Sequence, residues 1–524
     1  MKHSLVIIAL SLLLSTIATF AFAQSAQELM EIAQEQVGYD DLVTLVGNGL
    51  ENGTGVTSAQ VEAPVVTPAQ SPDELPTIAY MANPSSFQFD DTVFADGTGS
   101  NIGSSSHASR VGFRMYGSRS MATGLGQSAN PITAYEAGDF LFNQTNLGDG
   151  SDPEPFNFDV SNHSYILYQS QAPFLEEDDA LAINLLQRLD FMADQNESTM
   201  CVGVNNGSAT AVPEYLAFMY NAISVGLSCG DHSSGVTSLY GTGRTKPDIV
   251  APVLAPDDFT SFSTPMVTAS AAILHEAGSG TDATKTETIR ALLLSGATKD
   301  EFTDWDRTTT RPLDEVFGAG ELNILNSYVS LQGGEFDGST GEPTSSVGLN
   351  GWDYESQIVA GNDLFYQFDV TKGTKLDQLS IVLCWNMEII DQASSSNQFN
   401  PTENLGDLNL DFYDSSGSFL GSLLDESKSA VDNVEHIYLQ DLPAGTYHLK
   451  VSSDTNRDFG LAWRSTSSDL LMGDVNQDGT VNFFDISPFI EVLADSEYQF
   501  EADLNCDEVV DFFDISPFIV LLSQ

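Results

Sequence analysis

A serine lies at the start of a long apolar stretch, in the segment DDFTSFSTPMVTASAAIL at residues 257–274. Small polar residues precede Pro265 and a run of Ala, Val, Ser and Ile follows it, which predicts a buried helix that begins near Pro265. Ser261 is then either an ordinary cap of this helix or a nucleophile held where the helix dipole stabilises negative charge. A serine nucleophile also needs a base, an acid that orients the base, and donors for an oxyanion. The rest of the chain decides between the two interpretations.

Five segments together resemble the sequence boxes of the subtilisin-like serine proteases, over roughly residues 45–330. They are similar, in chain order, to the family's first strand with its acid, its histidine box, its oxyanion segment, a strand upstream of the serine, and the serine box. The segments are GTGVTSAQVEAP (53–64), SSHASRVG (105–112), CVGVNNG (201–207) followed by YNAISVG (220–226), TKPDIVAP (245–252) and TSFSTPMVTASAA.

The resemblance implies a role for one residue in each of four boxes. Ser261 is the implied nucleophile, His107 the general base, Glu62 the acid that orients His107, and Asn205 the side-chain donor to the oxyanion. The implied activity is that of a serine endopeptidase, which hydrolyses peptide bonds through an acyl-enzyme. Alternatives remain for three of the roles: His163 for the base, Asp90, Asp91 or Asp96 for the acid, and Asn206 for the oxyanion donor.

The chain departs from the family pattern at three of these positions. Phe259 replaces a glycine before Thr-Ser, Ala108 replaces a glycine of the histidine box, and Glu62 is one methylene longer than the family's aspartate. Glycine permits a close approach of the backbone, so Phe259 in particular could reshape the pocket. The alternative function is therefore a catalytically impaired surface protein that uses this fold as a binding module.

The C-terminal segment contains an internal repeat with the ligand spacing of calcium loops. DVNQDGTVNFFDISPFI begins at Asp474 and DLNCDEVVDFFDISPFI at Asp503. Calcium prefers six to eight hard oxygen ligands, and the loop that supplies them needs a sharp turn at position 6. The two copies have Gly479 and Glu508 at this position. We expect the second loop to be weaker because glutamate makes that turn harder. The predicted ligands are Asp474, Asn476, Asp478, Thr480 (backbone carbonyl), Asn482 and Asp485 in the first copy, and Asp503, Asn505, Asp507, Val509 (backbone carbonyl), Asp511 and Asp514 in the second.

This repeat resembles a dockerin domain, in which each of two calcium loops is followed by a helix. The resemblance covers about 473–522 and implies bound Ca²⁺ and a cohesin-like or other cell-surface docking partner. The positions that usually contact cohesin, after each loop, have the sequence DISPFI here, which departs from the pattern of a conventional cohesin-binding dockerin.

The N-terminal segment indicates where the protein is located, and the net charge limits the partners that it can bind. Lys2 and His3 precede an apolar run that ends in Ala21-Phe22-Ala23, which predicts a secretory signal peptide over 1–23 and a secreted or cell-surface protein without a membrane span after its removal. The chain has 74 Asp and Glu against 18 Lys and Arg, a formal net charge of −56. Such a surface repels nucleic acid and anionic membranes, so the expected partners are a protein or peptide substrate and the docking partner.

The alternation of short apolar strands with helical stretches predicts an α/β domain with a mostly parallel sheet, of the subtilisin-like kind, over 24–332. After a Gly/Ser/Thr-rich stretch at 333–350, alternating segments predict a β-sandwich over 345–465, and STSSD at 465–469 suggests a second linker. Residues 470–524 form the predicted small helical two-loop calcium-binding domain. The four cysteines do not indicate a disulfide-rich fold, and Cys201–Cys229 is the one candidate bridge.

Overall fold

The computed structural model describes residues 26–68, 77–148, 150–168, 179–254, 258–393, 398–415, 418–495 and 498–523. The predicted signal peptide at 1–23 lies outside these residues. The strands before residue 260 are β1 (Ser58–Glu62), β2 (Val65–Thr67), β3 (Thr77–Ala79), β4 (Phe94–Asp96), β5 (Ile132–Glu136), β6 (Val160–His163), β7 (Thr199–Gly203), β8 (Ala222–Leu227), β9 (Gly235–Val236), β10 (Thr245–Lys246) and β11 (Ile249–Ala251).

A seven-stranded parallel sheet organises this part of the chain, in the order β11–β8–β7–β6–β1–β5–β4. Every residue of β1, β7 and β8 is buried, as expected for strands covered on both faces. The predicted mostly parallel sheet is therefore confirmed. The carboxyl ends of β1, β6 and β7 lie side by side, so the residues that follow these three strands meet at one edge.

Helices cover this sheet on both faces. They are α1 (Ala26–Gln36), α2 (Tyr39–Val46), α3 (Ser106–Met115), α4 (Asp179–Gln195), α5 (Thr260–Ala277), α6 (Thr286–Gly296) and α7 (Ile324–Gly333). Helix α5 is buried at almost every position and contacts β6, β7 and β8. It begins at Thr260 and not near Pro265, so the prediction of its start is wrong by about one and a half turns.

Two four-stranded antiparallel sheets follow, in the orders β12–β21–β14–β19 and β13–β20–β17–β18, and they share one apolar core. Residues 465–469, expected to be a linker, instead continue β21 and pair with β14. The strands are β12 (Gly351–Ile358), β13 (Asp363–Val370), β14 (Thr374–Cys384), β15 (Glu388–Asp391), β16 (Pro401–Asn404), β17 (Leu408–Asp414), β18 (Leu423–Ser427), β19 (Val434–Leu442), β20 (Gly445–Ser453) and β21 (Arg457–Asp469).

Strand β14 is buried on both of its faces. Leu379, Ile381 and Leu383 lie in the core between the two antiparallel sheets, whereas Val382 and Cys384 lie in the core that also contains helices α5 and α6. This double burial explains why the segment LSIVLC is apolar at nearly every position and does not alternate.

The C-terminal repeat forms two helices, α8 (Ile486–Asp495) and α9 (Ile515–Leu522), each preceded by a short 3-10 turn. Val475, Phe489, Ala502, Val510 and Phe518 form its own small core. Within the described part of the chain, none of the helices has the length and apolarity needed to span a membrane.

The four cysteines are all free in the structure, so the candidate Cys201–Cys229 bridge is wrong. Cys201 is buried on β7, whereas Cys229 is exposed beyond the end of β8. The bridge was predicted because both cysteines fall at apolar, strand-like segments of one domain. Pairing of two parallel strands does not, however, bring a residue within one strand close to a residue beyond the end of the other.

Candidate active site

Glu62 and His107 form a hydrogen-bonded pair at the carboxyl edge of the sheet. Glu62 is the last residue of β1, and His107 is the second residue of α3, whose N-cap Ser105 accepts the N–H of Ala108 (3.1 Å). The Nδ1 atom of His107 lies 2.7 Å from Oε2 of Glu62. The Glu62 side chain is fully buried, and 41% of the His107 side chain is exposed. The carboxylate therefore orients a ring that remains partly exposed to solvent.

The electrostatics of His107 differ from those of the other described histidines. Burial lowers the pKa of His107, but the hydrogen bond and the charge of Glu62 outweigh this effect and that of nearby Arg110, so the pKa is raised. Burial is the main cause of a lowered pKa in each of the others, His163, His232, His275, His436 and His448.

The alternative base and acids do not form such a pair. His163 is fully buried on β6, its Nε2 lies 3.0 Å from the hydroxyl of Ser161, and burial lowers its pKa to about 3. Asp96 accepts the Tyr80 hydroxyl (2.5 Å) and two backbone N–H groups of its own turn. Asp90 and Asp91 are exposed. Among the acid candidates, Glu62 is the residue that contacts His107.

Ser261 lies in the first turn of α5, at the same edge of the sheet. Its hydroxyl donates to the carbonyl of Ser164 (3.2 Å), and the hydroxyl of Ser164 donates to the carbonyl of Ser261 (2.9 Å). Pro265 has no N–H and cannot donate to this carbonyl four residues earlier, so Ser164 supplies the missing donor. This replacement explains how a proline is accommodated inside α5.

Ser164 brings Ser261 close to the Glu62–His107 pair. It directly follows β6, which lies next to β1 with Val61 opposite His163. The ring of Phe262 lies 5.7 Å from the ring of His107, centroid to centroid. Among the described contacts, the hydroxyl of Ser261 is bonded to Ser164 and not to His107. Such catalytic hydrogen bonds often tighten only when substrate binds.

Asn205 is oriented by two hydrogen bonds just beyond β7. Its Oδ1 accepts the N–H of Asn206 (2.8 Å), and its Nδ2 donates to the hydroxyl of Tyr168 (2.5 Å). An amide nitrogen has two N–H groups, so one remains for a ligand. The Oδ1 of Asn206 instead accepts the N–H of Thr260 (2.8 Å), which joins this loop to the start of α5.

Sequence reasoning did not identify several residues of this arrangement. Tyr168 and Ser164 hold Asn205 and Ser261, and Gln60 contacts Glu62. Gln60 gives no clear signal in the sequence, because the segment SAQVE alternates polar and apolar residues and its full burial is visible only in the structure.

The two C-terminal loops have the same hydrogen-bond pattern. Asp474 accepts the backbone N–H groups of Asp478 (3.0 Å) and Gly479 (2.8 Å). Asp503 accepts the N–H groups at the two equivalent positions, at 3.0 and 2.9 Å. The aspartates at position 12, Asp485 and Asp514, accept backbone N–H groups within their own loops.

Position 6 has a left-handed backbone in both loops, with φ of 85° at Gly479 and 70° at Glu508. The second loop therefore makes the turn in spite of its glutamate, at a conformational cost of about 1–2 kcal/mol. The donor set of carboxylates, amides and carbonyls fits a hard cation such as Ca²⁺. Within the described residues, however, no three acidic side chains of these loops cluster closely enough to hold an ion.

Comparison with known proteins gives a family match in the region of the Glu62–His107 site. Residues 98–320 match the Subtilase family, Peptidase_S8, a range that includes His107, Asn205 and Ser261 but starts after Glu62. No curated protein matches the sequence.

Several solved structures resemble the chain at low identity. A protease of Pseudoalteromonas arctica has 14% identity and a TM-score of 0.31, covering 54% of this chain and 91% of that one. Fervidolysin of Fervidobacterium pennivorans, a keratinolytic enzyme related to subtilisin, has 12% identity and a TM-score of 0.34, covering 84% and 76%. The pre-peptidase C-terminal domain of a Bacillus anthracis collagenase has 14% identity and a TM-score of 0.17, covering 24% and 99%. The match at residues 98–320 supports a subtilisin-like serine peptidase at the level of the family.

Proposed function

We propose that the chain is a secreted serine endopeptidase with a calcium-binding tail that attaches it to a docking partner. The main support for peptidase activity is the 2.7 Å contact between His107 and the buried Glu62, at the sheet edge where Ser261 lies in the first turn of α5. The predicted signal peptide supports export.

The proposed reaction proceeds through an acyl-enzyme. His107 Nε2 takes the proton of Ser261 as its oxygen attacks the peptide carbonyl, and Glu62 stabilises the imidazolium that forms. The free N–H of Asn205 and the backbone N–H of Ser261 donate to the oxyanion. His107 then gives the proton to the leaving amine, and a water molecule, activated in the same way, releases the acyl group from Ser261.

A fluorophosphonate probe tests this proposal, because it labels only a serine that is activated by a base. We expect purified mature protein to label and Ser261→Ala not to label. Ser270→Ala is the matched control, since Ser270 is a buried serine farther along the same helix whose hydroxyl donates to Met266 (3.0 Å). If the folded wild-type protein does not react with the probe, this result would contradict the proposed peptidase activity.

One observation favours the alternative, a binding module on an inactive subtilase fold. Phe259 is the N-cap residue of α5 and is 42% exposed next to Ser261, where the family has glycine. If the wild type does not label, Phe259→Gly becomes the decisive variant. Labelling that appears only in Phe259→Gly would identify this side chain as the block.

The proposal for the tail is that both loops bind Ca²⁺ through the predicted side chains and the carbonyls of Thr480 and Val509. Calorimetric titration of the full chain with CaCl₂ tests it, with Asp474→Ala and Asp503→Ala as variants that each remove one loop. We expect two binding events in the wild type and one in each variant. Two events in either variant, or none in the wild type, would contradict the assignment.

An exposed apolar surface supports docking of the tail to a protein. The Phe-Phe pairs at positions 10 and 11 of the two loops have exposures of 79% and 73% for Phe483 and Phe484, and 77% and 70% for Phe512 and Phe513. Residues 470–524 contain twelve Asp and Glu and no Lys, Arg or His. A complementary partner has apolar pockets surrounded by basic residues.

Binding of the fluorescent full chain to washed cells of the producing organism, with and without Ca²⁺, tests this partner. We expect calcium-dependent binding that Phe484→Ser/Phe513→Ser abolishes. Equal binding by this variant would contradict the surface, and calcium-dependent dimers in analytical ultracentrifugation would identify a second copy as the occupant instead.

A further inference from the structure

Gln60 lies next to the Glu62–His107 pair and has no role in the reaction described above. It precedes Glu62 by two positions on β1, so both side chains project from the same face of the strand. Gln60 is 1% exposed and Glu62 is 0% exposed. A buried amide next to a buried carboxylate is costly unless both are hydrogen-bonded.

All the hydrogen-bonding groups of the Gln60 amide are used. Its Nε2 donates to Oε1 of Glu62 (2.8 Å) and to the carbonyl of Ala108 (3.0 Å), and its Oε1 accepts the hydroxyl of Tyr116. Ala108 directly follows His107, and Tyr116 follows the last residue of α3. One side chain therefore connects the acid on β1 to both ends of the helix that carries the base.

We infer that Gln60 is a positioning residue for the acid–base pair: it occupies one carboxylate oxygen of Glu62 and leaves the other for Nδ1 of His107. Glutamate has one more rotatable bond than aspartate, so its carboxylate loses more conformational freedom when it is held in one place. Gln60 supplies the constraint that the longer acid needs, and its bond to Ala108 sets the spacing between β1 and α3. The inference rests on the proposed function, in which His107 is the base.

Gln60→Met tests this role, because methionine has a similar length and no hydrogen-bonding amide. The measurement is the titration of His107 by NMR of the full chain with ¹³C-labelled imidazole carbons. Glu62 raises the pKa of His107, so we expect this pKa to fall in the variant as the carboxylate loses its orientation. We also expect fluorophosphonate labelling to slow by about 10²-fold, the effect of a small misplacement of catalytic groups.

Gln34→Met is the matched control. Gln34 is also buried, at 6% exposure, and its Nε2 donates to the carbonyl of Arg119 (2.8 Å), away from His107. It should lower stability without moving the pKa of His107. An unchanged or higher pKa of His107 in Gln60→Met would overturn the inference, because Gln60 would then be structural only or a competitor for the carboxylate.

A second variant guards against a failure to fold. Gln60→Met leaves the buried hydroxyl of Tyr116 without its acceptor, whereas Gln60→Met/Tyr116→Phe removes both partners, which costs less. The double variant should show the same fall in the pKa of His107. The titration needs no activity, so it decides the role of Gln60 even if the wild-type chain does not label and the proposed function fails.

Discussion

Replacing the acid of the pair, Glu62→Gln, is the most direct test of how His107 is activated. The substitution keeps the length and the buried volume of the side chain but removes its charge. Two consequences follow: the imidazolium formed during attack by Ser261 loses its counter-charge, and the amide no longer selects the tautomer with a proton on Nδ1. The reactivity of Ser261 should fall although nothing near its hydroxyl has changed.

The size of the effect follows from the geometry. An N–O contact of 2.7 Å places the centres of the two charges about 4 Å apart, which is worth about 4 kcal/mol at an effective dielectric constant of about 20. This energy corresponds to about 10³-fold in rate. Because 41% of the His107 side chain is exposed, solvent screening reduces it, and we expect a loss between about 10²-fold and 10³-fold.

The assay is the second-order rate constant of fluorophosphonate labelling as a function of pH. In the wild type, labelling should increase as the pH rises through the raised pKa of His107 and the ring becomes neutral. In Glu62→Gln this pKa falls, so the acid limb should move to lower pH while the plateau decreases. A plateau within about threefold of the wild type, or an unmoved acid limb, would refute the role of Glu62.

Three further predictions concern other parts of the chain. Tyr168→Phe removes the hydroxyl that accepts from Asn205 and donates to the carbonyl of Ala211 (2.8 Å), so labelling should slow by about tenfold with only a small fall in melting temperature; an unchanged rate contradicts this. Burial raises the pKa of Glu287 from 4.5 to about 8, so the folded chain loses stability as pH rises across this range. Between pH 4.5 and about 8, the melting temperature of Glu287→Gln in calorimetry should therefore fall less than that of the wild type. An equal fall in both proteins would argue against the raised pKa of Glu287. Glu508→Gly should relieve about 1 kcal/mol of left-handed strain and slow hydrogen exchange in the second loop, whereas faster exchange would show that the glutamate is not strained.

Local patterns in the sequence predicted the elements well. In DALAINLLQRLDFMADQ, at 179–195, apolar residues recur at helical spacing, and α4 spans these residues. The short apolar runs in STMCVGVN and YNAISVGLS are typical of strands, and β7 and β8 lie within them. Alternation of such elements was enough to predict the parallel sheet, whose carboxyl edge carries the candidate site.

Contacts between distant residues could not be predicted in the same way. The sequence shows that Gln60 lies on an alternating strand, but not that Tyr116 and Ala108 are its partners, since these contacts depend on how α3 packs on β1. The start of α5 was placed too late because Pro265 usually marks a boundary, and the compensating donor, Ser164, lies far away in the chain. The Ser/Thr-rich segment at 465–469 has the composition of a linker, and its pairing with β14 overrides that tendency.

The double burial of β14 also has a consequence for how this protein can be divided. Its outer face, with Val382 and Cys384, belongs to the same core as α6, and a Cβ at Gly460 on β21 would lie 2.4 Å from the backbone of Glu287. The parallel-sheet domain and the antiparallel sheets after it should therefore melt as one cooperative unit, with the tail and its small core as a second. Truncation at residue 333 would expose an apolar face to water, so the shortened chain should aggregate. For the same reason, genetic recombination between related proteins should transfer the parallel-sheet domain and the antiparallel sheets together.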